Sequence, residues 1–230
     1  MSKKNNQTDR DLLDLEAEEV YSRTEHFIHE NKNILLGIVA GILVIVAVVF
    51  AYKNLYLAPL EVEAKSEIFM AETYFAQDSL SKAVYGDGQY LGFIDIVDEY
   101  GSTKTGNLAR YYLGISFLRM GQYEPAISAL NKFSSEDKIV SSIAKGAIGD
   151  AYMELGDIKK AASNYEKAAH SNENNFTSPI YLMKAAKAHE AMGEYNKALS
   201  LYKEIKKEYK STPEGSDIDK YIARAEAYVQ

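Results

Sequence analysis

The 230-residue chain contains no cysteine. That excludes disulfides, thiol nucleophiles and thiolate metal sites, while leaving the redox compartment open. Proline occurs 4 times and glycine 14 times, against abundant alanine and 18 tyrosines, a balance that favours helix. No Lys/Arg cluster stands out, and the net charge is −7 with a pI near 5.2. Nucleic-acid binding relies on a basic face, so that partner class is set aside.

Catalytic signatures are also missing. There is no Walker A sequence, no nucleophile elbow and no HExxH. Gly86, Gly88 and Gly92 are spaced GxGxxxG with no strand before them, which reads as a turn rather than a phosphate loop. The histidines are His26, His29, His170 and His189. His26 and His29, with Glu25 and Glu30 near, fall short of the ligand number and support a metal needs. His170 is expected on the surface and His189 in the core. The chain is therefore read as a non-enzyme with no cofactor, no metal and no small-molecule substrate.

What is present begins with one apolar run. Ile34 to Tyr52 gives 19 uncharged positions bracketed by Lys32 and Lys53. At about 1.5 Å per residue it reaches roughly 28 Å, enough for the hydrocarbon layer of a bilayer. Tyr52 and Tyr56 suit the interface. A cleaved signal peptide competes, with Val49-Phe50-Ala51 as its cleavage pattern. The 33 residues ahead are too long and too acidic for a basic n-region. No cysteine follows for a lipid anchor. Orientation is tied on charge: Arg23 and Lys32 precede the span, Lys53 and Lys65 follow it. Gly37 and Gly41 form a GxxxG pair, either a close helix–helix contact or ordinary glycine in a passive span. The acidic tail, residues 1–33, has Leu13, Val20, Phe27 and Ile28 near one helical face. It is either solvated or a partner-docking helix.

Beyond the span, three stretches align: 107–140, 142–175 and 179–212, with starts 35 and 37 residues apart. Each carries a small pair in its first helix (Leu113-Gly114, Ile148-Gly149, Ala185-Ala186). A knob follows (Phe117, Tyr152, His189), and then a turn glycine (Gly121, Gly156, Gly193). Second helices follow with Ala126, Ala161 and Ala198, then Leu130, Tyr165 and Tyr202, then Phe133, Ala168 and Ile205. The period lies close to the 34 residues of tetratricopeptide repeats, and the landmarks resemble theirs. The expected fold is all-α: one N-terminal transmembrane helix (34–52), then a tetratricopeptide α-solenoid. Within it, 59–106 forms a degenerate helix pair, 107–212 the three repeats and 213–230 a capping helix from Ile218. In the degenerate pair a first helix near Glu61–Ala76 offers Ile68, Phe69, Tyr74 and Phe75 to the core. A second near Tyr90–Tyr100 offers Phe93, Ile94 and Val97. An insertion, 78–89, separates them.

First helices of such arrays line a concave groove. The repeat register places Tyr111, Ile115, Leu118 and Arg119 there, then Asp150, Met153 and Glu154, then Met183, Lys187 and Glu190. The alternative is a passive wall facing solvent or a cap helix. One subclass grips a C-terminal carboxylate with Lys and Asn. Here those positions hold Tyr111, Ile115, Gly146 and Asp150, so that clamp is absent.

The layout as a whole resembles the YfgM-like ancillary subunits of the bacterial Sec translocon. The carrying stretches are the tail ending FIHENKNILLGIVAG, then GDGQYLGFIDIVDEYGSTKTGNLARYYLG and IAKGAIGDAYMELGD. The resemblance implies a single-pass protein of the bacterial inner membrane, with its N-terminus cytoplasmic and its repeats periplasmic. It implies SecYEG and a membrane-anchored periplasmic chaperone of the prolyl-isomerase type as partners, with a role in handing secretory proteins onward. Two functions follow: an ancillary translocon scaffold, or a periplasmic holdase that grips unfolded clients in the groove. A client surface is broad and adaptable, whereas a fixed partner touches a defined few residues. The mixed groove favours the first.

Overall fold

The computed structural model describes residues 5–229, with side chains for His26 and for residues 29–229. All regular structure among the described residues is helical. The chain divides into two compact units, Met1–Ala58 and Pro59–Gln230.

In the first unit the backbone is helical over α1 (Asn5–Ala51), followed by π-helical turns over Tyr52–Leu57. From Asn5 onward the acidic tail and the apolar run are continuous in one helix. The helical stretch that starts at His29 contains a window long and apolar enough to cross a membrane, and none of that window is buried. Nothing lies within 4 Å of where a Cβ on Gly37 or Gly41 would sit. The side chains of Leu13, Val20, Phe27 and Ile28 lie outside the described residues.

The second unit opens with α2 (Ala58–Ala76), whose buried face is Ala64, Ile68 and Ala71. Those residues follow the i, i+4, i+7 spacing of one helical stripe. Phe69 sits about 100° round from Ile68 and is 65% exposed, so it leaves the expected core. The insertion is not a plain connection. It holds α3 (Leu80–Tyr85), which buries Ala83 and Val84. The turn after it is held by Asp87, which accepts from the Tyr74 hydroxyl (2.6 Å) and the amides of Gln89 (3.0 Å) and Tyr90 (2.9 Å). Gly86 and Gly88 supply its positive φ angles, 77° and 86°. Residues 90–92 belong to this connection, and α4 starts three residues later than expected (Phe93–Tyr100). Phe93 and Ile96 are its wholly buried residues, while Ile94 and Val97 are half-buried. Phe93 stacks on Tyr112 at 5.4 Å, with Phe75 edge-on to Tyr112 at 5.1 Å. Full burial of such a ring contributes about 1.5–3 kcal/mol.

Three helix pairs follow: α5 (Lys104–Arg119) with α6 (Tyr123–Asn131), α7 (Lys138–Glu154) with α8 (Ile158–His170), and α9 (Ser178–Ala191) with α10 (Tyr195–Glu208). Thr103 caps α5 through the Gly106 amide, Asp137 caps α7 through Ile139 and Val140, and Asp157 caps α8 through Lys160. Such caps satisfy donors that a helix start leaves open. The turn glycines Gly121, Gly156 and Gly193 have φ of 74°, 77° and 73°, the left-handed conformation that ends a first helix. Pairs close because first helices are small where second helices press on them. A Cβ on Gly149 would lie 2.6 Å from the Tyr165 ring, and one on Gly114 would overlap Leu130. Behind the third pair, α11 (Pro213–Ser216) and α12 (Ile218–Glu226) close the end, burying Ile218, Ile222 and Ala225.

His189 is 5% exposed, as a core position requires. Its two ring nitrogens lie at 2.5 Å from Glu166 and 2.7 Å from Glu194, so it links α8, α9 and the start of α10.

Candidate partner-binding groove

The middle of the second unit presents a cavity of about 380 Å³. Leu118 comes from α5, Tyr123 from α6, Asp150, Met153 and Glu154 from α7, and Tyr165 from α8. Four of these, Leu118, Asp150, Met153 and Glu154, are residues that the repeat register assigns to the groove. On α7, Asp150 and Glu154 are one turn apart and share a face. Tyr111 and Ile115 sit half-buried on the same helix as Leu118, and the Tyr111 ring packs on Phe133 at 5.3 Å.

Asp150 is well supplied. It accepts from the Tyr165 hydroxyl at 2.7 Å and from Lys184 Nζ at 2.7 and 3.0 Å. Lys184 also lies over the Tyr165 and Tyr181 rings, 5.5 and 5.8 Å from their centroids. Burial, and then the bond to Asp150, push the Tyr165 phenol well above its usual range. Burial and the nearby Asp150 charge push Tyr181 up to about 12, and burial raises Tyr111. These phenols stay neutral around pH 7 and keep a hydroxyl donor.

Glu154 is treated differently. It accepts one long bond from Tyr123, at 3.4 Å, and its charge raises the Tyr123 phenol. Gly146, at a clamp position, has no room for Lys or Asn. A Cβ there would run into the Tyr181 ring.

The remaining register positions separate from this cavity. Arg119 pairs with Asp78 at 2.6 Å and covers the Phe75 ring at 5.4 Å, tying the end of α5 to the α2–α3 connection. Met183 is 9% exposed and belongs to the core of the third pair. Glu190 is bridged by Arg224 at 3.2 and 2.5 Å, and Lys187 lies over Tyr221 at 5.4 Å. Both are thus engaged by α12, so at that end the cap covers the wall. A larger cavity, about 690 Å³, lies beside Asn174, Glu204 and Tyr209 and is mostly polar. Asn174 there is spent on Asn172, Phe176, Thr177 and Ser178.

Sequence reasoning missed Tyr123, Tyr165 and Lys184. Tyr165 was assigned to inward packing, and its ring does that while its hydroxyl reaches Asp150. Tyr123 enters from the first turn of α6, where no register along α7 points. Lys184 falls one residue beyond Met183 in a register that follows only the groove stripe.

Models of the tetratricopeptide repeat match residues 108–137, 144–175 and 181–212. The three helix pairs are tetratricopeptide repeats. Protein FLUORESCENT IN BLUE LIGHT, chloroplastic, of Arabidopsis thaliana is 43% identical over 60 residues, 24% of this chain and 19% of that protein. The chain thus spans about a fifth of the curated relative it matches. A solved point variant of a Podosopora anserina kinesin-light-chain-type protein, with nearly identical TPR-like repeats, aligns with a TM-score of 0.53 at 16% identity. The alignment covers 72% of this chain and 86% of that one. At that identity the likeness speaks to the fold, an all-α repeat solenoid. Such repeats make this unit a scaffold for protein–protein interaction.

Proposed function

We propose that the protein is a membrane-anchored, non-catalytic ancillary subunit of the SecYEG translocon in the bacterial inner membrane. Its N-terminus is cytoplasmic and its repeats periplasmic. There the repeats help hand secretory proteins to a membrane-anchored chaperone of the prolyl-isomerase type. The carrying observation is the pairing of an apolar helix that buries nothing with a repeat unit that has its own core. Ile34 to Phe50 need a non-aqueous surrounding, whereas the repeats satisfy their own apolar faces. Docking and presentation are then separable. Tail and span recruit the membrane partners, through Gly37 and Gly41 and the face of Leu13, Val20, Phe27 and Ile28, and the groove takes the periplasmic partner.

A periplasmic holdase is the second reading. The groove supports the scaffold better, because its apolar residues Leu118 and Met153 sit beside the Asp150–Lys184 ion pair and the Glu154 carboxylate.

The test exchanges residues 1–52 for an unrelated single-span anchor of the same orientation. Co-purification of SecYEG in mild detergent should fall sharply while the repeats stay folded. Tyr111→Ala with Leu118→Ala and Met153→Ala should leave SecYEG bound and weaken the periplasmic contact. An anchor exchange without effect, beside a groove variant that loses SecYEG, would make the repeats the docking module. Protease added to spheroplasts should remove the repeats and spare the tail; digestion only after lysis would reverse the topology.

A further inference from the structure

We infer that the cavity at Leu118, Met153 and Glu154 seats a lysine or arginine side chain of an extended partner segment, with apolar residues of that segment on either side. The inference rests on the groove being the partner-binding surface and adds the chemistry it selects.

The first ground is an unbalanced charge. Two carboxylates line the cavity, Asp150 and Glu154, and Asp150 is paired with Lys184. Among the described residues no lysine or arginine pairs with Glu154. Its one bond comes from a neutral phenol at 3.4 Å. Lys184 neutralises Asp150 only, so the cavity holds one carboxylate in excess. The surrounding unit has the same sign, since residues 59–230 carry 20 Lys and Arg against 25 Asp and Glu.

The second ground is the shape and chemistry of the lining. Leu118 and Met153 are half-buried and offer an apolar floor to an aliphatic stem. The half-buried Tyr123 adds aromatic surface, to which a cation is attracted. A volume of about 380 Å³ lies at the lower end of ligand clefts, suited to one long side chain and its water. An anionic side chain would face Glu154 with no free cation to offset it. An apolar one would leave Glu154 desolvated and unpaired.

The test uses the full chain in nanodiscs and three fluorescein-labelled ten-residue peptides. All share a leucine- and serine-containing frame and differ at one central position, Arg, Met or Glu. In fluorescence anisotropy the Arg peptide should bind about tenfold more tightly than the Met peptide, with the Glu peptide weakest. Glu154→Gln, at an exposed position, should erase most of the Arg preference, so that the Arg and Met peptides bind within about twofold of each other. Equal binding of all three, weakened throughout by Leu118→Ala with Met153→Ala, would overturn the cation pocket and keep the groove. A preference for the Glu peptide, or an Arg preference that survives Glu154→Gln, would overturn the inference as well. Failure of all three to bind the unaltered chain would remove groove and pocket together.

Discussion

Between Ile34 and Phe50 the large apolar side chains from Ile34 to Phe50 other than Leu35 are 48–68% exposed. In the third repeat and its cap, Ala185, Ala186, Ala198, Tyr202 and Ala225 are fully buried. The more apolar segment thus buries the least. Hydropathy reports which surroundings a helix prefers, whereas burial reports whether a neighbour can come close. The glycines repeat the contrast: Gly37 and Gly41 meet nothing within 4 Å, while Gly149 and Gly146 are backed by the Tyr165 and Tyr181 rings. Small residues in the repeats are sites of contact already made. In α1 the same residue type meets nothing within 4 Å.

The sharpest way to break this contrast is to charge the apolar helix. Ile42→Arg with Val46→Arg should cost about 5–7 kcal/mol of membrane insertion at mid-span. Carbonate extraction should move the protein from the membrane to the soluble fraction, while circular dichroism shows the repeats melting as before. Protein that stays in the pellet would mean that the helix is not the anchor.

Next in size is the glycine pair. Gly149→Leu overpacks the α7–α8 contact and should cost roughly 1–3 kcal/mol, with a Tm lower by about 2–4 °C per kcal/mol. Gly37→Leu should leave that Tm unchanged. Equal effects would erase the distinction between the units. A smaller loss is expected from His189→Leu. It keeps the apolar packing and removes the bonds to Glu166 and Glu194, which are themselves 40% exposed. About 1 kcal/mol is reasonable for half-solvated partners, read from chemical denaturation midpoints.

The smallest effect is local and pH-dependent. Asp87 is held down to about 2 by the Tyr74 hydroxyl and then the Tyr90 and Gln89 amides. A carboxylate with a folded pKa below its unfolded value of about 3.9 supports the fold above that value. The support is lost as pH falls from about 4 towards 2. NMR titration of the Asp87 carboxyl should give a midpoint near 2, and one near 4 would remove the turn contacts. Asp87→Asn should leave the three repeats' melting unaltered.

The degenerate region shows why legibility varied along the chain. Repeats two and three carry several small and aromatic landmarks at fixed offsets, so their helices, turns and packed pairs follow from spacing. Residues 59–106 have no such register. Hydrophobicity alone offers Phe69 to the core, yet a helix buries one stripe and Ile68 already defines it. Helix α3 is six residues long, too short for periodicity to show. The groove was half legible for the same reason. Leu118, Asp150, Met153 and Glu154 follow from the register of first helices, whereas Arg119, Lys187 and Glu190 were diverted by Asp78, Tyr221 and Arg224 from other elements.

By itself the sequence determined the helical repeats, their turn glycines and a helix apolar enough to cross a membrane, because these depend on residues near one another in the chain. Tertiary structure decided which charges are spent and which are left. Lys184 and Asp150 are 34 residues apart, as are Arg224 and Glu190. Only packing that brings α7 to α9, and α12 to α9, could pair them. The same packing leaves Glu154, four residues from Asp150 on the same helix, with a neutral phenol as its one hydrogen-bond partner among the described residues.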